Sequence, residues 1–277
     1  MREREHVLQL ENITMQFGGV VAVDNMNLEV NRDEIVSLIG PNGAGKTTAF
    51  NVITGVYAPT NGSVYFQGNK IIENHPQGKM KKLYKGEHAG DYKHVLQPTP
   101  DKVTKLGIAR TFQNIRLFGN MTVEENVRIG LHNQIKYGMF SGIFRLPAYW
   151  KQEKKQHEKA LELLSIFDMQ GMAQYRAGSL PYGAQRRLEI VRALATHPKL
   201  LLPHETEELM ENIIKIRDQF QIAVMLIEHD MNLVMGICEG ICVLNYGRII
   251  AKGTASEIQQ NPTVIEAYLG KRKEGEQ

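Results

Sequence analysis

Cysteine is almost missing from this chain of 277 residues: there are 2, Cys238 and Cys242, in one apolar stretch. They cannot build a disulfide framework, and no histidine pair stands near them at zinc-site spacing. They read as small buried hydrophobes in a reducing compartment. An excess of one charge sign is missing as well. Lys and Arg total 33 against 30 for Asp and Glu, a net charge of +3. That balance gives no electrostatic case for nucleic acid. The basic runs at Lys79 to Lys82 and Lys151 to Lys159 read as a solvated loop and a solvated helix face. No apolar run approaches the roughly 20 residues of a membrane-spanning helix. Met1 to His6 is polar and has no apolar core of a signal peptide. A role at a membrane is therefore expected to run through a partner. No internal repeat is evident.

What is present is 42% hydrophobic and 23% charged sequence, ordinary for a globular α/β protein. Val7 to Gln16 and Val20 to Val30 are read as strands. Ile35 to Ile39 is a nearly continuous apolar run, interrupted only by Ser37, the pattern of a strand buried on both faces of a parallel sheet. A helix is expected to follow through Ile53, then a turn at Thr60-Asn61-Gly62 and a strand at Val64 to Phe66. The stretch 74–100 is rich in Lys, His, Gly and Pro and reads as an inserted surface loop. Its three histidines, His75, His88 and His94, fit no metal-ligand spacing. Thr122 and Glu125 form a capping box, and the chain reads as mostly helical from there to Ala177. Leu188 to Ala195 is helical, Leu200 to Leu202 a short buried strand, and Glu205 to Phe220 an amphipathic helix. Strands are expected at Ile222 to Ile227, Ile241 to Leu244 and Arg248 to Ala251. The order predicts an α/β core with a helical subdomain.

The segment Gly40-Pro41-Asn42-Gly43-Ala44-Gly45-Lys46-Thr47-Thr48 fits the phosphate-loop pattern, between a buried strand and a helix. Glycines let backbone N–H groups turn inward onto phosphate oxygens, and the helix N-terminus adds its positive end. Lys46 supplies charge to the β- and γ-phosphates, and the Thr47 hydroxyl suits Mg²⁺. ATP with Mg²⁺ is the expected ligand.

Later motifs narrow the class. Leu180-Pro181-Tyr182-Gly183-Ala184-Gln185, continuing Arg186-Arg187-Leu188-Glu189-Ile190, resembles the signature motif of ABC ATPases, in its branched-chain amino-acid importer branch. Gly107 to Phe118 is similar to that branch's Q-loop region. So are Phe17-Gly18-Gly19, Leu226-Ile227-Glu228-His229-Asp230-Met231 and the tail from Asn261-Pro262 to Leu269-Gly270. The resemblance implies a P-loop NTPase core of ABC type, with an antiparallel β subdomain and a helical subdomain. It would form one domain over 1–277: β subdomain and core over 1–120, helical subdomain over 121–178, and signature helix, remaining core and tail over 179–277. The resemblance also implies residue roles. Phe17 would stack on adenine, and Gln113 would reach Mg²⁺ and the attacking water. Gly183 would meet the γ-phosphate bound by an opposing subunit, and His229 the γ-phosphate at its own strand's end. Implied partners are a second ATP-binding subunit (or a second copy), two membrane permeases and, indirectly, an extracytoplasmic amino-acid-binding protein. The place implied is the cytoplasmic face of the membrane.

One stretch departs from the resemblance. After Leu200-Leu201-Leu202 the family continues with an apolar residue, Asp-Glu-Pro and a loop that crosses to the partner. Here the chain runs Pro203-His204-Glu205-Thr206-Glu207-Glu208-Leu209. The simplest alignment removes the Asp, the catalytic Glu and the crossing loop as one block. A rival alignment keeps Glu205 as the catalytic residue with His204 in place of the Asp, but it explains a single residue. Pro181 also replaces a signature Ser. The expectation is an ATP-binding subunit of an importer with impaired hydrolysis. The alternatives are a nucleotide-binding pseudo-ATPase and a non-functional deletion product.

Overall fold

A computed structural model describes residues 5–112, 114–132, 147–203, 212–228 and 231–269. Strands β1 (His6–Phe17), β2 (Val20–Asn31), β4 (Asn61–Phe66) and β5 (Asn69–Asn74) form an antiparallel sheet in the order β2-β1-β4-β5. The second sheet runs β10-β9-β3-β8-β7-β6. It contains β3 (Ile35–Ile39), β6 (Ile108–Arg110), β7 (Leu200–Leu202), β8 (Ala223–Ile227), β9 (Gly240–Asn245) and β10 (Arg248–Gly253). The strands from β9 to β6 are parallel, and β10 returns antiparallel through the turn at Tyr246-Gly247. All residues of β3, β7 and β8 are buried, Ser37 of β3 included, as expected of apolar strands covered on both faces.

Helix α1 (Lys46–Ile53) follows β3. Its residues Ala49, Phe50, Val52 and Ile53 fill the core between the two sheets with Leu8, Met26, Leu38 and Met225. A second core gathers α4 (Val123–Leu131), α5 (Pro147–Ser165) and α6 (Tyr182–Leu194) on the parallel sheet through Val127, Leu164, Leu188 and Leu201. The helix that carries the signature therefore packs with the helical half. The capping box at α4 is present: Glu125 N–H donates to the Thr122 hydroxyl at 3.1 Å, and Thr122 N–H donates to the Glu125 carboxylate at 2.7 Å. A third core joins Ile39 and Val243 to α9 (Ala255–Gln259) and α10 (Pro262–Leu269) through Ile258 and Val264. Of the helix expected at Glu205 to Phe220, α7 (Ile213–Phe220) is described, with Ile213 and Ile216 buried. Glu205 and Leu209 lie outside the described residues.

The stretch 74–100 lies at the surface and is pinned to the antiparallel sheet. It holds α2 (Met80–Leu83), ends at the start of α3 (Pro100–Leu106), and straps across the antiparallel sheet. The Tyr92 hydroxyl accepts from Asn12 Nδ2 at 2.8 Å and donates to the Glu11 carbonyl at 3.3 Å, while buried Tyr84 donates to the Thr14 hydroxyl at 3.4 Å. Glu73 and Leu96 exchange backbone bonds of 2.9 and 2.8 Å. The buried Glu73 carboxylate also takes Lys70 Nζ at 2.5 Å and the His94 N–H at 3.1 Å. Composition showed a polar loop but could not show that its two tyrosines find partners on β1, an inner strand 70 to 80 residues back.

Cys242 is buried and Cys238 half-buried, as small core residues. Burial pushes the Cys238 thiol up to about 12 and the Cys242 thiol up to about 11. At pH 8 the thiolate fraction is then about 10⁻³ or less, and the thiolate is the reactive form. An aromatic disulfide reagent at pH 8 should label neither thiol in the folded chain over the minutes in which it labels both in denaturant. Prompt labelling of Cys242 in the folded chain would refute this packing.

Candidate functional site

The phosphate loop is the turn between β3 and α1, and its backbone has no alternative path. Gly40 has φ of 151°, and a Cβ there would lie 2.0 Å from the Leu244 carbonyl oxygen of β9. Gly45 has φ of 106°, and a Cβ there would lie 2.3 Å from the Ala22 carbonyl oxygen of β2. Gly43, at φ of 80°, faces open space, where a phosphate can approach the backbone. Ala44 N–H donates to the Pro41 carbonyl at 3.1 Å, and the Ala44 carbonyl takes Gly247 N–H at 2.9 Å. Lys46 Nζ donates to the Gly40 and Pro41 carbonyls at 2.5 and 3.1 Å. The ammonium thus lies over the loop. Thr47 is exposed at the first turn of α1, one residue beyond the lysine. Its hydroxyl fits an oxygen donor for Mg²⁺ bound with nucleotide phosphates.

The hairpin of β1 and β2 rests on this loop through Ala22, and it carries Phe17 at its tip. Phe17 is 45% exposed and meets Tyr57 edge-on, with ring centroids 5.5 Å apart at 80°. An edge contact leaves the ring face open for stacking. On the other side of the loop stands α10. Thr263, Glu266 and Ala267 of α10 border a cavity of about 480 Å³ with Pro41, Asn42, Gly43 and Ala44. Burial raises the Tyr268 phenol while the Gly40 N–H bond opposes it.

The signature residues lie apart from the loop, in the helical half. Pro181 caps α6, Tyr182 is 65% exposed, Gly183 is half-buried, and Leu180 and Ala184 are buried. Gln185 closes the turn by donating to the Leu180 carbonyl at 2.8 Å. An exposed helix start of this kind is available to a second molecule. Of the other predicted site residues, Gln113, Glu205 and His229 lie outside the described residues, as does His204.

Sequence reasoning missed the polar side chains that hold these parts together. Arg110 on β6 donates to Asn51 Oδ1 at 2.6 Å and to the Thr54 hydroxyl at 3.3 Å, tying the Q-loop strand to the end of α1. Burial first, then the neighbouring Arg116 guanidinium, brings Arg110 down to about 10. Arg110 and Arg116 flank the Phe112 ring at 5.3 and 4.9 Å. With Lys105, Phe118, Glu189 and Arg192 they line a groove of about 440 Å³ between α3, β6 and α6. A larger cleft of about 700 Å³ lies between the 74–100 strap, β2 and β10, away from the phosphate loop.

A phosphate loop on a parallel sheet, an antiparallel sheet that presents an aromatic beside it, and an exposed signature on a helical half define an ATP-binding cassette. The ABC transporter family profile matches residues 23–206, and that of the branched-chain amino acid ATP-binding cassette transporter family matches 248–274. The chain is 41% identical to the high-affinity branched-chain amino acid transport ATP-binding protein LivG of Salmonella typhimurium, over 95% of this chain and 98% of that one. It is 39% identical to BraF of Pseudomonas aeruginosa, over 95% and 98%. A nucleotide-free ATP-binding cassette from an ABC transporter superposes with a TM-score of 0.74 at 28% identity, covering 96% of this chain and 100% of the other. A dimeric post-hydrolysis cassette bound to ADP and phosphate superposes at 0.66 with 25% identity, over 90% and 98%. The chain belongs to the branched-chain amino acid branch of ABC transporter ATP-binding proteins.

Gly45→Ala should lower ATP affinity at least about tenfold, roughly 1.4 kcal/mol. It forces both a disfavoured φ and a clash with a backbone carbonyl. Gly43→Ala meets no neighbour and should cost less. Titration with a fluorescent ATP analogue measures both, and equal affinities for the two variants would contradict the loop geometry.

Proposed function

We propose that this chain is the ATP-binding subunit that energises an importer for branched-chain amino acids, and that hydrolysis at its own phosphate loop is slow. The observation that carries the second part is the end of β7. This strand stops at Leu202, before buried Pro203, and pairs with β8 only at Leu200 and Leu201. β8 runs on through Met225, Leu226 and Ile227, paired with β3 on its other side. From Pro203 to Arg217 the chain contains no Asp.

In this reading Phe17 stacks on adenine. The backbone of Gly40, Pro41, Asn42, Gly43, Ala44 and Gly45 cradles the phosphates with Lys46 and Thr48. Thr47, and Gln113 with it, would hold Mg²⁺, which would neutralise phosphate charge, and His229 would serve the γ-phosphate. No carboxylate stands at the described end of β7 to polarise water, and a positioned base is worth about 10²–10⁴-fold in rate. Gly183, with Leu180 to Gln185 around it, serves the nucleotide held by a second ATP-binding subunit. The groove lined by Arg110, Arg116 and Arg192 takes a permease segment, which places the chain on the cytoplasmic face of the membrane. No helix of the described residues is long and apolar enough to span a bilayer.

Single-turnover hydrolysis by the purified chain, beside an ATP titration, tests this. Binding in the micromolar range is expected, with turnover at least about 10²-fold below that of a cassette holding its base. Lys46→Ala should abolish the binding. Ordinary turnover that Glu205→Gln removes would overturn the alignment and restore Glu205 as the base.

A further inference from the structure

Two charged side chains on the signature helix are buried without contacting the expected nucleotide site. Arg186 is 7% exposed and Glu189 is 2% exposed. Removing such a pair from water costs several kcal/mol per ion unless fixed partners compensate. The partners are specific. Arg186 Nη1 donates to the Phe112 carbonyl at 2.7 Å. Its Nη2 and Nε donate to the Tyr182 hydroxyl at 2.7 and 3.1 Å, and the guanidinium lies 5.2 Å from the Tyr182 ring centre. Glu189 Oε1 accepts from the backbone N–H groups of Phe112 and Arg116, both at 3.4 Å, and its Oε2 lies 3.5 Å from Arg186 Nη1. In the segment so held, Phe112 and residues 114–116 carry no helix or strand, so these bonds help to fix their course.

We propose that Arg186 and Glu189 are positioning residues that fix the backbone on both sides of Gln113 to the signature helix, so that the Gln113 loop and Tyr182 respond as one unit. Tyr182 precedes Gly183 and exposes its ring while Arg186 grips its hydroxyl from within. Glu189 also borders the arginine-lined groove, beside Arg116 and Arg192. A body pressed into that groove and a nucleotide pressed against the signature therefore act on the same pair of side chains. The Phe112 carbonyl and the Tyr182 hydroxyl are served from different guanidinium nitrogens, Nη1 and Nη2, and lysine has one nitrogen to reach both. The pinning itself rests on these contacts alone; its use in transport rests on the function proposed above.

The first test is amide hydrogen exchange on the full chain with ATP. Arg186→Lys and Glu189→Gln should each raise exchange across 112–118 about tenfold or more, leaving β3 and β8 unchanged. Tyr182→Phe keeps the bond to Phe112 and should loosen the start of α6 more than the loop. Arg186→Lys and Glu189→Gln that both leave 112–118 unchanged, or that speed exchange equally across the helical half, would overturn the proposal, because uniform loosening is loss of packing. In the complex with permeases and a partner ATP-binding subunit, Arg186→Lys should cut the ratio of substrate-stimulated to basal hydrolysis severalfold. Unchanged stimulation in an active complex would overturn the response as one unit. A failure of any transport complex to form would count against the proposed function while the exchange result still decides the pinning.

Discussion

The phosphate loop is pinched between two carbonyl oxygens, and much of the site's geometry follows from that contact. Leu244 belongs to the parallel sheet and Ala22 to the antiparallel one. Gly40 and Gly45 press against them at distances that leave no room for a Cβ. The loop is thus built by both sheets at once. The antiparallel sheet provides one wall of the turn and holds Phe17 beside it. The bonds from Asp24 N–H to the Gly247 carbonyl at 2.8 Å and from Gly247 N–H to the Ala44 carbonyl at 2.9 Å extend the same seam. A shift of one sheet against the other would move the wall and the aromatic together.

Outside that seam the division of labour is between apolar mass and polar pins. Burying a side chain such as Phe50 contributes about 1.5–3 kcal/mol, and the core between the sheets contains many of that size. A single hydrogen bond contributes about 1 kcal/mol net. Stability is therefore mainly apolar, while the course of the irregular segments is mainly polar. Arg110 fixes the end of α1 to the Q-loop strand, Glu73 fixes the strap to β5, and Arg186 with Glu189 fixes 112–116 to α6. Each of these groups is charged and largely buried, so losing one partner strands a charge rather than merely deleting a bond.

This division explains what could be read from sequence. The strand Ile35–Ile39 and the helix ending at Ile53 were legible to the residue, because a short, nearly continuous apolar run and a glycine loop each leave one reading. The capping box at Thr122 was legible because its chemistry is local. β5 and β6 were not: Asn69–Asn74 is polar at both ends, and Ile108–Arg110 is three residues whose strand character comes from pairing with Leu200–Leu202. The pins were not legible either, since Arg186 meets Phe112 across 74 positions. The one available signal was the run Gln-Arg-Arg-Leu-Glu-Ile, which marked the branch of the family without showing that its first Arg and its Glu face one loop.

The end of β7 makes sense in the same terms. Its three leucines are fully buried, and they pair with β6 on one side and, at Leu200 and Leu201, with β8 on the other. The Leu202 carbonyl still takes the Thr111 N–H at 3.2 Å. Pro203, which has no N–H to offer a ladder, marks the point where pairing stops. The apolar contacts of β7 therefore lie before this point. The phosphate loop follows β3, which β8 separates from β7 in the sheet, so the loop and the end of β7 are built on different strands.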